Sequence, residues 1–106
     1  MPQAEAVALL REGIDAARAG VEARTRDLLR QATELDPDNE LAWLWRANST
    51  DHPGEAVDCL RRVLQVNPAN EKAKEALPAA LVRAAAALPP ADRPRAKALL
   101  VEATTL

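Results

Sequence analysis

The sequence predicts an all-α protein made of helix pairs stacked in series, and three observations point there. Apolar residues recur at i, i+3, i+4 and i+7 along successive segments, the spacing of one face of an α-helix. Two prolines sit in near-identical settings, Leu35-Asp36-Pro37-Asp38-Asn39 and Val66-Asn67-Pro68-Ala69-Asn70, each closing one segment ahead of the next. The apolar complement is 24 alanines, 15 leucines and 7 valines with two tryptophans and no phenylalanine or tyrosine, which suits helices at close range and not a sheet. A helix pair that recurs about every 30 residues cannot bury its apolar face alone, so pairs must stack.

The first segment, about Gln3 to Ala19, puts Val7, Leu10, Ile14 and Ala17 on one face with Ala6, Leu9, Gly13 and Ala16 beside it, and Gly20 stops it. The second, about Val21 to Leu35, keeps Val21, Thr25, Leu28, Leu29, Ala32 and Leu35 on one side. It ends at Pro37, because the residue before a proline is pushed out of the helical region. Asn39 caps a third helix, roughly Glu40 to Thr50, which carries Leu41, Trp43, Leu44, Trp45 and Ala47. Asp51-His52-Pro53-Gly54 is a tight turn in which Asp51 caps a fourth helix, Pro53 to Val66, with Ala56, Val57, Leu60, Val63 and Leu64 inward. Asn70 caps the next segment, and Pro78 implies a break or kink before the chain continues to Leu88. After the turn Pro89-Pro90-Ala91-Asp92, a last helix runs through about Thr104 with Ala96, Leu99, Leu100 and Ala103 inward.

The totals bound the function. The 106 residues fit one domain, and 14 basic against 16 acidic residues, a net charge of −2, give no field to draw in nucleic acid. Cys59 is the sole cysteine, which excludes an internal disulfide and a cysteine-based zinc site. The apolar stretch Ala84 to Leu88 is far too short to span a bilayer, and Met1-Pro2-Gln3-Ala4-Glu5 lacks the basic start and apolar core of a signal peptide. The expectation is a soluble cytoplasmic protein, and eleven arginines against three lysines suit a GC-rich bacterial genome.

The layout resembles the tetratricopeptide repeat (TPR). In a first unit, about residues 6–39, Gly13, Gly20, Leu29, Ala32 and Pro37 match the family's small residue, inter-helix glycine, second helix and terminator, while Leu9 and Thr25 stand where it prefers tryptophan and alanine. In a second, about 40–70, Trp43, Ala47, Ala56, Leu60 and Pro68 match, with Val63 in place of an alanine. The terminating prolines are 31 residues apart, shorter than the family's usual 34. A degenerate third unit, about 71–106, is carried by Ala96, Leu100 and Ala103. The resemblance implies about five to seven helices in a right-handed superhelix and a non-enzymatic scaffold for a protein or peptide partner, without cofactor. It places Val7, Leu10, Ile14, Leu41, Leu44 and Asn48 in a concave groove. Of the positions with which some members grip a terminal carboxylate only Asn48 matches; Leu10, Ile14, Leu81 and Ala85 occupy the others.

Trp43 and Trp45 point about 200° apart on a helix, so they cannot face one core. Trp43 belongs to the core within its unit. Trp45 either packs on the next helix or, with Arg46, forms an exposed anchor for a partner. The alternative function is homo-oligomerisation, with the groove closed by another copy of the chain. Arg24, Arg26, Arg30, Arg61 and Arg62 are interleaved with acids and read as solvated faces. His52 has no second histidine for metal, Cys59 flanks an apolar stripe as a small buried hydrophobe, and Ser49 with His52 makes no triad.

Overall fold

The computed structural model of the chain describes residues 2–105, so the outermost residue at each end of the expected domain lies outside them. Six helices follow one another: α1 (Pro2–Arg18), α2 (Glu22–Leu35), α3 (Glu40–Ser49), α4 (Pro53–Val66), α5 (Glu71–Ala87) and α6 (Arg93–Thr105), with one 3₁₀ turn, Pro90–Asp92, before α6. Among the described residues there is no strand. Each helix packs chiefly on its neighbours in sequence, with lighter contact between α1 and α3. The short links make those neighbours antiparallel hairpins. Order in space follows order in sequence, and the extents of 44 × 29 × 19 Å describe an elongated row.

The breaks between helices have distinct local causes. Gly20, at φ 78°, closes α1: its N–H bonds the Ala17 carbonyl at 3.1 Å while the Val21 N–H bonds that of Ala16 at 3.0 Å. That bond pair needs a left-handed residue, which glycine supplies without strain. Pro37 and Pro68 push Asp36 (φ −136°, ψ 83°) and Asn67 (φ −142°, ψ 95°) out of the helical region. Two residues after each proline an asparagine starts the next helix. Asn39 Oδ1 accepts from the Ala42 N–H at 3.1 Å, and Asn70 Oδ1 from the Ala73 N–H at 3.0 Å.

Two expectations about breaks are corrected. Asp51 does not cap α4; His52 holds the cap position without a side-chain bond, and the Asp51 carboxylate lies 3.4 Å from Arg26. Pro53 at the first helical position has no N–H to satisfy, which weakens the need for a cap. Of the break or kink expected at Pro78, the break does not occur, since α5 is one helix through it. The carbonyl it leaves without a partner belongs to Lys74, an exposed residue that water can reach. Leu77 and Leu81 are buried on either side. At about 1.5–3 kcal/mol each, their burial offsets the roughly 3 kcal/mol cost of an interior proline.

The interior comprises two cores joined by α3. The smaller gathers Leu10, Leu29, Ala32 and Ala42, with Leu9, Ile14 and Trp45 packed on its edge. The larger runs from Ala47 through Ala56, Val57, Leu60 and Val63 of α4 to Ala73, Leu77 and Leu81 of α5, edged by Trp43, Leu44, Leu99 and Ala103. Val21, Leu35 and Leu100, expected inward, are exposed. The first two lie at the ends of α2, and α6 is held on α5 through Leu99 and Ala103 with Leu100 turned away.

Close approach of α1 and α2 depends on Gly13, where an added Cβ would lie 2.9 Å from Leu29 Cδ2 and 3.1 Å from its Cγ. Leu29 is fully buried and cannot yield freely. Gly13→Ala should therefore lose about 1–2 kcal/mol, the overpacking cost exceeding the gain in helix propensity. Gly54→Ala, with nothing within 4 Å of the new Cβ, should gain roughly 0.5 kcal/mol. Urea midpoints read both, and the opposite signs are the check.

Candidate functional site

On α3, Leu41, Leu44 and Asn48 share one side at helical spacing. Leu41 is 46% exposed and Asn48 is exposed, whereas Leu44 is half-buried against the larger core. On α1, Val7 is 48% exposed, Ile14 half-buried and Leu10 buried at 7%. Val7, Leu10 and Ile14 line one shallow cleft of about 290 Å³ with Arg11, Asp15 and Arg18. Ala17 of α1 and Trp45 and Asn48 of α3 line a second, of about 270 Å³. Asn48 also borders a third with Arg83 of α5. The second and third clefts share Asn48, so a surface passes from Ala17 near the end of α1 over the end of α3 to α5, while the cleft at Val7, Leu10 and Ile14 shares no lining residue with them.

The sequence-expected residues divide by exposure, with Ile14 and Leu44 half-buried at the edges of the two cores. Val7, Leu41 and Asn48 present free surface. Leu10 is spent in the smaller core, leaving little of it to touch a partner. Trp45 is half-buried against that same core, so it packs on α1 and α2, the preceding unit, and not on the helix that follows.

Arg46 lies elsewhere, about 200° around α3 from Asn48. Its Nη1 donates to Thr33 Oγ1 at 3.0 Å, its Nε lies 3.4 Å from Glu55, and its guanidinium stacks 5.2 Å from the Trp43 ring centre. Arg46 ties α2, α3 and α4 together and does not accompany Trp45. Trp43 is half-buried in the larger core, and its indole N–H donates to the Pro37 carbonyl at 2.8 Å.

Two polar devices escaped the reading of the sequence. Thr33 is buried on α2, its hydroxyl within reach of the Leu29 and Arg30 carbonyls as it accepts from Arg46; a threonine amid a polar helix face carries no mark of this. Glu40 accepts from Asn67 Nδ2 at 2.8 Å and Asn70 Nδ2 at 2.9 Å, fastening the start of α3 to the α4–α5 turn. The recurrence of asparagine around Pro68 was its only signal. The amides of Asn70, and next Asn67, hold the Glu40 carboxyl below its ordinary value.

The interleaved charges pair as a solvated surface does: Arg24 with Glu12, Arg26 with Asp51, Arg30 with Asp27 and Glu34, Arg61 with Glu102 and Arg62 with Asp38. Exposed pairs of this kind contribute about 0–1 kcal/mol each. Cys59 is 2% exposed and burial pushes its thiol up to about 11, which keeps the reactive thiolate scarce. Among the described residues no group of three or more histidine, cysteine or acidic side chains is placed to hold a metal ion. Nor is any helix among them long and apolar enough to cross a membrane.

Comparison with known proteins gives a partial likeness. The chain is 52% identical over 50 residues to mouse sperm-associated antigen 1, a stretch that takes in 44% of this chain and 6% of that protein. The chain therefore spans only a small part of that relative. With proline-to-proline spacing of 31 residues, the match is longer than one helix pair. No family model matches the chain, and no solved structure does.

Three outcomes follow from this arrangement. Trp43→Ala and Trp45→Ala should each cost about 1–3 kcal/mol in urea unfolding, below the 3–5 kcal/mol of a fully buried aromatic because both are half-exposed. Glu40→Ala should lower stability at neutral pH. The wild-type advantage should disappear as pH falls from 4.5 through the lower folded value, because a depressed carboxyl stabilises only while ionised. Cys59 should react with a thiol reagent at pH 8 only at the rate of opening, and unfolding in urea should expose it at once.

Proposed function

We propose that the chain is a tetratricopeptide-like interaction module, non-enzymatic, that holds a protein or peptide segment along the surface formed by α1, α3 and α5. The helix pairs α1/α2, α3/α4 and α5/α6 serve as its repeats, about residues 6–39, 40–70 and 71–106. The observation that carries this reading is the exposure of Val7 on α1 and Leu41 on α3, at 48% and 46%, with Asn48 exposed two turns along α3 from Leu41, where the clefts toward α1 and α5 meet. Large apolar residues left open on a rigid helical face suit an apolar ligand, and an amide two turns farther along α3 can fix its register by hydrogen bonding. The partial likeness to a much longer protein fits a module that works within or beside other domains.

A second copy closing the same face is the rival reading, favoured by the exposure of Val7 and Leu41 themselves, which another copy of the chain would cover. Sedimentation equilibrium separates the two, since a peptide-holding module stays monomeric across the concentration range. The groove is tested by affinity capture with purified chain carrying Leu41→Glu, against Arg24→Glu on α2 as control. Capture should fall at least tenfold for the first and stay unchanged for the second, with circular dichroism equal in both. Equal capture by the two variants removes the groove from consideration.

A further inference from the structure

A strip of α1 carries the same pair twice at a seven-residue interval: Val7, exposed, with Arg11, and Ile14, half-buried at the edge of the smaller core, with Arg18, each an apolar residue followed one turn later by an arginine. The two pairs stand about 10.5 Å apart along the helix. All four side chains border the same shallow cleft. The arginines of α2, α3 and α4 each have a carboxylate within 4 Å, whereas among the described residues Arg11 and Arg18 have none, as is also true of Arg83, Arg93 and Arg95 on α5 and α6; of these only Arg11 and Arg18 stand together beside exposed or half-buried apolar residues in one cleft. Asp15 also borders the cleft but stands farther than 4 Å from both of its arginines.

A repeat of seven is the spacing at which a second helix can lie along the first with its own apolar residues in register, flanked by charges that choose the partner. We infer that this strip docks a partner helix whose apolar stripe repeats every seventh residue and whose flank is acidic, the carboxylates answering Arg11 and Arg18. A second copy of α1 is disfavoured as the occupant. With Val7 opposite Ile14 of the other copy, the two Arg11 side chains meet at the symmetry axis, and like charges repel. The inference deepens the groove reading by naming the chemistry of its occupant, with α1 as one wall.

The test uses the full chain, isotope-labelled, and three synthetic helical peptides of about three heptads, identical except for glutamate, lysine or serine on the flank. The glutamate peptide should bind, shifting the resonances of Val7, Arg11, Ile14 and Arg18. Its affinity should fall at least tenfold with Arg11→Glu or Arg18→Glu, fall with added salt, and rise about twofold or more with Asp15→Asn, whose removal of a like charge favours the acidic flank. All three positions are exposed, so the variants should keep the fold, with circular dichroism as the check. Equal binding of all three peptides with shifts at Leu41 and Asn48 overturns the acidic-helix inference while leaving the groove standing. Shifts confined to α6, or no binding by the glutamate peptide, overturn it as well.

Discussion

The structure depends on one constraint above the rest: α3 must satisfy two cores at once. Its ten residues turn Ala42 and Trp45 toward α1 and α2, and Trp43, Leu44 and Ala47 toward α4 and α5. Because the two indoles leave the helix about 200° apart, neither core can be filled without placing the other. The position of α1 and α2 relative to the remaining helices follows from this single apolar helix, reinforced by Arg46 reaching Thr33 on one side and Glu55 on the other.

Small residues make that geometry possible. The buried set on α1 is Ala6, Leu10, Gly13 and Ala16, and on α5 Ala73, Ala80, Ala84 and Ala85 outnumber the leucines. Helices lined in this way approach closely, and stability comes from many short dispersion contacts and a few leucines in place of aromatic bulk. In the absence of a large aromatic interior the two half-buried tryptophans sit at core edges, Trp43 held by its indole N–H and by Arg46, Trp45 against the smaller core.

Much of this was legible in the sequence because the controlling signals are local. Gly20, Pro37 and Pro68 act through backbone sterics, and Asn39 and Asn70 through a bond three residues away, so the boundaries they set could be read from adjacent letters. Pro78 misled for the same reason: the local penalty is real, but Leu77 and Leu81 outweigh it through contacts distant in sequence. The site was less legible. Helical spacing placed Leu10, Ile14 and Val7 on one strip, yet which of them is consumed by packing depends on how α3 crosses α1. Arg46 was paired with Trp45 by adjacency alone, whereas on a helix adjacent residues diverge and its partners come from α2 and α4.

The division into a slight core and a larger one has a mechanical consequence. In a row where each hairpin leans only on the next, free energy is distributed unevenly along the axis, and the seam between α2 and α3, the lightest packing between successive helices, is the looser grip. Whatever settles across α1 and α3 therefore does more than occupy a trough: it splints that seam, so that occupancy and rigidity rise together.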